Sequence, residues 1–259
     1  MRLTFLGTGT SFGVPVVGCG CSTCTSTDPR DARTRCGALL ELPEGRVLVD
    51  APPELRLQLL RERVDRVDAV WITHPHADHI HGVDDLRIFT VRRRETLAMH
   101  VPSDHLEEVR ARFPYIFTSA APPPGTSVPL LRLAPVRDGE PVEILGHSFH
   151  PFALPHGPMR TFGFRVGGLG FVPDAKRIPP AALAVLRGVE VLVLSALWWG
   201  DPHPTHMNLD EAVATAREVG ARRTFLIHLT HRVRHRELLE RLPDGIEPAH
   251  DGLCLEVSP

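Results

Sequence analysis

The chain has 259 residues, 42% of them hydrophobic and 23% charged, with a formal net charge of −2. That is enough apolar residue for a real core, and the charge balance gives no overall positive field for nucleic acid or an anionic membrane. "MRLTFLGTGT" breaks into Gly and Thr too early for a signal peptide, and no apolar run is long enough to span a bilayer, so the chain reads as cytoplasmic.

Short apolar runs alternate with helical patterns along the chain. "LTFLG" reads as a strand and leads into a Gly/Cys loop. "GALLEL" and "RVLVD" predict a hairpin around Pro43–Gly45. "PELRLQLLRERV" carries Leu55, Leu59 and Leu60 at helical spacing, and "AVWITH" reads as a buried strand ending at His74. Residues 84–94 and 103–113 read as helices, the second capped by Ser103 with Glu107 behind it. A loop is expected over 118–129, then strands in "PLLRLAPV", "VEILG" and "SFHPFALPH". "FGFRVGGLGFVPD" predicts a hairpin turning at Gly167–Gly168. "PPAALAVLR" is a helix with prolines in its first turn, and "VEVLVLSAL" a strand. "NLDEAVATAREVG" is a helix with Asn208 as cap, Glu211 three residues on and Gly220 at its end. "RTFLIHL", "RHRELLERL" and "DGLCLEV" complete the chain as strand, helix and strand. This order suits two sheets packed together with helices outside, in one domain over residues 1–259.

The polar residues of interest fall where strands run out, at Asp50, His74, His156, Asp174 and His228, the positions at which a rigid scaffold commonly carries function. Fifteen histidines are many for this length. "THPHADHIHG" supplies His74, His76, Asp78 and His79. Imidazole and carboxylate are ligands of zinc and similar ions. After a strand, His74 and His76 can point the same way, while Asp78 and His79 come round from the next helix toward a second ion. The alternative is a His-rich surface loop, but at this composition His-x-His-x-Asp-His arises by chance in only about 3 chains per 1,000, so the metal reading is the expectation.

The motif resembles the signature of the metallo-β-lactamase fold family, and the rest of that signature follows in order. Asp50 in "VLVDAPPE" matches the supporting carboxylate that closes a strand; His156 in "ALPHG", Asp174 in "FVPDAK" and His228 in "FLIHLTH" match the remaining ligands. The resemblance implies an α/β fold, a four-layer αββα sandwich. It also implies one ion on His74, His76 and His156, another on Asp78, His79 and His228, and Asp174 between them. The family usually has Gly near Asp50, whereas "DAPPE" follows here; proline fixes φ and removes a donor, so this loop is expected to be stiffer. His76 stands where the diiron flavoprotein members carry Glu, which argues against redox iron chemistry. "LGTGTSFG" lacks the Gly-Lys-Ser/Thr ending of a phosphate-binding loop, and no Gly-x-Ser-x-Gly elbow occurs.

Two divalent ions about 3.5–4 Å apart make hydroxide available near neutral pH and offset charge developing on a phosphorus or carbonyl centre. The candidate proton donor is His206 in "PTHMNLDEA", where the phosphodiesterase branch of the family, including tRNase Z-like enzymes, carries a catalytic His. Asp78 and His206 are the candidate catalytic residues. His81, His147, His150 and His203 are weaker candidates, and His100, His105, His235 and His250 read as ordinary. Arg87 in "DDLRIF" suits a phosphate contact or an internal ion pair equally.

Five cysteines, an odd number with three in "CGCSTC", argue against a disulfide framework. Three thiolates need a fourth ligand for tetrahedral zinc. The spacing resembles the branch of the cyclic phosphodiesterase associated with the carbon–phosphorus lyase pathway. There, three such cysteines and a His three residues past the last active-site His bind a structural zinc. By that resemblance Cys19, Cys21, Cys24 and His231 form a closed site, while Cys36 and Cys254 stand alone as small packing residues.

The expected function is therefore hydrolysis of a small or cyclic phosphodiester by a dinuclear site holding zinc or manganese, beside one structural zinc. A long nucleic acid is not expected, since "RRR" at 92–94 and "HRVRHR" at 231–236 usually form solvated faces; neither is a membrane. The oligomeric state is open, a homodimer included. A lactonase or thioesterase of the same fold is the alternative, and a binding protein without catalysis the third reading.

Overall fold

The alternation of side chains along the strands decides the architecture. In the computed structural model, which describes residues 1–117 and 126–259, the first four strands are β1 (Arg2–Gly7), β2 (Gly37–Leu42), β3 (Gly45–Val49) and β4 (Ala69–Trp71). Leu3, Phe5, Ala38, Leu40, Val47, Val49 and Trp71 bury into one cluster, and Leu6, Leu39, Leu48 and Val70 into another. Strands apolar on both faces need cover on both sides. β5 (Leu97–Pro102) and β6 (Leu131–Val136) extend this sheet at one edge, and β14 (Cys254–Glu256) at the other. The second sheet holds β7 (Val142–Ile144), β8 (His147–His156), β9 (Met159–Val166), β10 (Leu169–Val172), β11 (Val191–Ser195), β12 (Arg223–Ile227) and β13 (Ile246–Pro248). Its order is β13-β12-β11-β10-β9-β8-β7, and that of the first is β14-β1-β2-β3-β4-β5-β6. Each sheet runs three antiparallel pairings into three parallel ones.

Between the sheets Trp71 packs on Phe149 and Phe164, with ring centroids 5.9 and 5.0 Å apart. The outer faces are covered by helices. α1 (Leu55–Arg61), α2 (Ala77–Ile80), α3 (Arg87–Arg93), α4 (Leu106–Arg112) and α5 (Pro114–Phe117) cover the first sheet through Leu55, Leu59, Ile80, Phe89, Val109 and Ile116. α6 (Pro180–Leu186), α7 (Leu209–Val219) and α8 (His235–Arg241) cover the second through Ala182, Leu186, Leu209, Ala212, Ala216 and Leu238. The result is the four-layer αββα sandwich. No helix among the described residues is long and apolar enough to cross a membrane.

The expected cap of α7 forms in full. Asn208 accepts from Glu211 N (2.8 Å), Glu211 accepts from Asn208 N (3.0 Å), and Gly220 ends the helix at φ 71°. Other expectations change. Ser103 is not a helix cap: its hydroxyl donates to Val136 O, and it sits in a 3-10 turn ahead of α4. The helix over 84–94 divides into a 3-10 turn, Val83–Leu86, and α3. β5 and β13 are strands that the sequence pattern left unassigned. β4 stops at Trp71 rather than His74, because Asp50 captures the next backbone and side chain: Thr73 N and Thr73 Oγ1 donate to it at 2.8 and 2.9 Å. Of the loop over 118–129, residues 118–125 lie outside the described residues, and 126–129 carry no regular structure.

Candidate metal centre

Five strand ends meet at one end of the sandwich. Asp50 follows β3, His74 and His76 follow β4, His156 ends β8, Asp174 follows β10 and His228 follows β12. Asp78 and His79 enter from α2. Asp50 and His228 both hold φ of 62°, an uncommon left-handed backbone for residues other than Gly. Strain of this kind persists where the surroundings enforce it and clusters at functional sites. The backbone of "DAPPE" is tied to the first motif: Ala51 N donates to His79 O (2.7 Å) and Gly82 N to Ala51 O (2.8 Å). A Cβ at Gly82 would lie 2.1 Å from Pro52 O, so only Gly permits that approach.

The donors converge as two groups. His74, His76, His156 and Asp174 form one, and Asp78, His79, Asp174 and His228 the other; within each, the ligand atoms lie within 4.8 Å of one another. Asp174 Oδ2 is the common point, 3.9 Å from His74 Nε2, 3.5 Å from His79 Nε2 and 3.2 Å from His228 Nε2. His74 Nε2 and His76 Nδ1 face each other at 2.9 Å. His79 Nε2 and His228 Nε2 are buried yet have no hydrogen-bond partner, whereas buried polar groups are normally satisfied. Nitrogens orphaned beside two carboxylates are what a divalent cation would satisfy, so the donor set fits one.

The outer nitrogens are oriented. His79 Nδ1 donates to Asp50 Oδ2 (2.7 Å), His156 Nδ1 to Thr205 O (3.0 Å), and Thr73 Oγ1 meets His74 Nδ1 at 2.9 Å. Since Thr73 gives its own proton to Asp50, one carboxylate fixes two rings, a common support for imidazoles at metal sites. Without an ion the same groups pair as charges, and a cation bound at His79 Nε2 would displace that ring's proton. Burial alone would pull the His79 ring down, but Asp50 and Asp174 outweigh it and hold the ring well above its ordinary value. Burial would push Asp174 up, but His228, His79 and His206 outweigh it and hold the carboxyl well below the carboxylate range. Against the same opposition, His228 and His79 bring Asp78 to about 2. The pocket is thus built around paired opposite charge.

A cavity of about 280 Å³ opens over these groups, walled by His76, Asp78, His156 and His206 and by Ser11 across from them. His206 stacks on His228 at 4.8 Å between centroids and stands 4.6 Å from His156. Burial brings its imidazole down to about 3, and its Nδ1 lies 3.9 Å from Asp174. His203 stands next to His206, 5.0 Å away between ring centroids. The other weak candidates lie elsewhere: His147 meets Glu44, His81 packs on Phe113, and His150 is exposed on β8. Arg87 is not at the cavity; it pairs with Asp84 on the outer helical face. Sequence reasoning missed Thr73, Thr205 and Ser195, whose hydroxyl is 3.5 Å from Asp174 Oδ1. Only Thr73, abutting the first motif, carried a signal.

The cysteine cluster closes as a separate group. Cys19, Cys21 and Cys24 Sγ lie 3.3, 3.6 and 3.6 Å from His231 Nδ1. Backbone N–H groups of Val16 and Cys24 point at Cys24 and Cys21 Sγ (3.3 and 3.5 Å). The second contact draws the Cys21 thiol down to about 6, toward the thiolate a metal requires, while burial pushes the Cys24 thiol up to about 11. Beside it, buried Arg33 donates to Thr230 O and Val233 O (2.8 and 3.0 Å) and meets Asp31 at 3.3 Å. The N-terminal loop is thereby tied to the segment after β12.

Stacked sheets with helices outside and His/Asp donors gathered at the strand ends define a protein of the metallo-β-lactamase fold. The beta-lactamase superfamily domain profile matches residues 45–229, and the chain belongs to that superfamily. Within it the chain falls in the PhnP-like branch: it is similar to a crystallised diphosphatase of the PhnP family, with 36% identity, 99% and 98% of the two chains covered and a TM-score of 0.91. It is also 37% identical over 255 residues to an octanoyltransferase of Porphyromonas gingivalis, covering 98% of this chain and 51% of that one. To ribonuclease Z of a Bradyrhizobium species it is 27% identical over 197 residues, 74% of this chain and 61% of that one. The chain thus spans only about half to three-fifths of the length of these two curated relatives, whereas coenzyme PQQ synthesis protein B of Methylorubrum populi, 26% identical over 306 residues, is covered over its full length.

Proposed function

We propose that this chain is a metal-dependent phosphodiesterase acting on a small or cyclic phosphodiester. The observation that carries the reading is the pair of donor groups sharing Asp174 beneath the cavity that His206 walls. His74, His76 and His156 would hold one ion, Asp78, His79 and His228 the other, with Asp174 between them; zinc and manganese both suit such His/Asp sets. When bound, a pair of divalent ions lowers the pKa of a water and offsets charge building on phosphoryl oxygens. Asp50 and Thr73 hold His74 and His79 in the tautomers that turn Nε2 inward. The leaving oxygen takes its proton from the His206 imidazole. Burial keeps that ring neutral before substrate arrives; the anionic phosphodiester raises its proton affinity, so the ring takes up a proton from solvent as substrate binds, gives that proton to the leaving oxygen and returns to the neutral form. Cys19, Cys21, Cys24 and His231 would hold a structural zinc with no open position for substrate.

The similarity to a diphosphatase and to a ribonuclease Z supports phosphoester chemistry. The octanoyltransferase name belongs to a protein twice as long and assigns no activity to the matching half. A small substrate is favoured because the arginine run at 92–94 lies away from the cavity, with Arg93 paired to Asp68 and Glu95. The test is turnover of an activated phosphodiester beside lactone and thioester analogues of similar size. Hydrolysis of the phosphodiester is expected. Turnover of the carbonyl substrates alone would make the protein a lactonase or thioesterase, and no turnover by fully metallated protein would favour a binding role.

A further inference from the structure

Residues 10–12 separate two cavities. Ser11 faces the His/Asp cavity, while its neighbours Thr10 and Phe12 line a second one of about 190 Å³, completed by Val16, Trp198, His231 and Arg232. Phe12 is 73% exposed, which is costly for so large an apolar side chain without a partner. It is nevertheless on fixed backbone. Gly13 N donates to Thr10 O (2.8 Å), Val14 and Arg33 exchange two 2.8 Å backbone bonds, and Arg35 Nε holds Ser11 O at 2.8 Å. Trp198 and Arg232, from a distant part of the chain, are held as well. Trp198 Nε1 donates to Asp201 O (3.0 Å), and the Arg232 guanidinium lies 4.5 Å from the Trp198 ring centroid. A line of rings joins this wall to the reaction cavity: Trp198 to His203 at 5.7 Å, then His203 to His206 at 5.0 Å. The floor is His231 of the cysteine cluster.

We propose that this second cavity is a subsite for a nucleobase, so that the phosphodiester substrate carries a nucleoside on one side of the phosphorus. The inference rests on the phosphodiesterase reading for its chemistry. Phe12, Val16 and Trp198 give the cavity a largely apolar lining, and aromatic side chains with a guanidinium stacked on one of them suit a flat ring, which stacks on such surfaces whatever its identity. The subsite also gives the cysteine cluster a bearing on specificity: the segment that carries Cys19, Cys21 and Cys24 also carries Phe12 and Val16, so the closed site fixes one wall of the pocket.

Binding tests it without requiring turnover. Metallated protein is titrated with adenosine 5′-monophosphate and with ribose 5-phosphate, which shares the phosphate and lacks the base. The wild type is expected to bind the nucleotide about tenfold tighter, and Phe12→Ala and Trp198→Phe to reduce that ratio, the first nearly to one. Phe12 is exposed, so its replacement leaves the core untouched. Equal affinity for the two ligands in the wild type, or a ratio unchanged in Phe12→Ala, would overturn the subsite. A protein that prefers the nucleotide in this way and yet hydrolyses no phosphodiester would keep the subsite and sink the phosphodiesterase reading.

Discussion

Asp50 accepts a 2.7 Å hydrogen bond from His79 Nδ1 while also binding the Thr73 hydroxyl that meets His74. One buried carboxylate therefore orients a ring in each of the two donor groups, and does so from a left-handed backbone at φ 62°. Asn tolerates that backbone but cannot hold the same charge. Asp50→Asn is expected to fold and to lose about 10–100-fold in metal affinity, measured by competition with a chelator. Unchanged affinity would mean that the carboxylate serves only the fold.

His206 contacts the ring faces of His156 and His228 and belongs to neither donor group. His206→Ala should therefore keep its metal content while phosphodiester turnover falls about 10²–10⁴-fold. Elemental analysis and kinetics on one sample separate the two effects; full activity would exclude a proton-donor role.

For the cysteine cluster, Cys21→Ser is expected to carry about one zinc fewer per chain and to unfold at lower temperature. Its turnover should fall less than that of His206→Ala. Unaltered zinc content would rule out a closed metal site there.

The pH dependence of stability has a source outside the cavity. His100, buried in β5 with an unpartnered Nδ1, is brought down to about 4, first by burial and then by Arg132. The unfolded chain binds that proton near the ordinary value of about 6.5. Stability from this group is present above about pH 6.5 and lost as pH falls toward 4, because the unfolded state then holds one proton more. His100→Leu should thus gain on the wild type by about 2 kcal/mol between pH 7 and pH 5, read from urea unfolding at the two values. A constant difference would mean that His100 is free to protonate in the fold.

Much of this molecule is legible in the sequence because its signals are local. The motif from His74 to His79, the Asn208–Glu211 cap and the Gly167–Gly168 turn each lie within a few residues, and the structure brings all seven expected donors together. What escapes is set by contacts between distant segments. β5 alternates Leu97, Met99 and Val101 inward, yet follows an arginine run and contains a His. β13 is three residues long and rests on pairing with β12. Thr73 matters only because Asp50 reaches it, and the end of β4 follows from that contact. Phe12 and Trp198 come from segments far apart in the chain, so no spacing rule links them.

The most direct test counts metal and turnover together in the wild type and in Asp174→Asn, which alters the oxygen common to both donor groups. The wild type should carry about three ions per chain and hydrolyse the phosphodiester. The variant should keep about one, at the cysteine cluster, and lose turnover. A variant that retains wild-type metal and activity would contradict a dinuclear site built on Asp174.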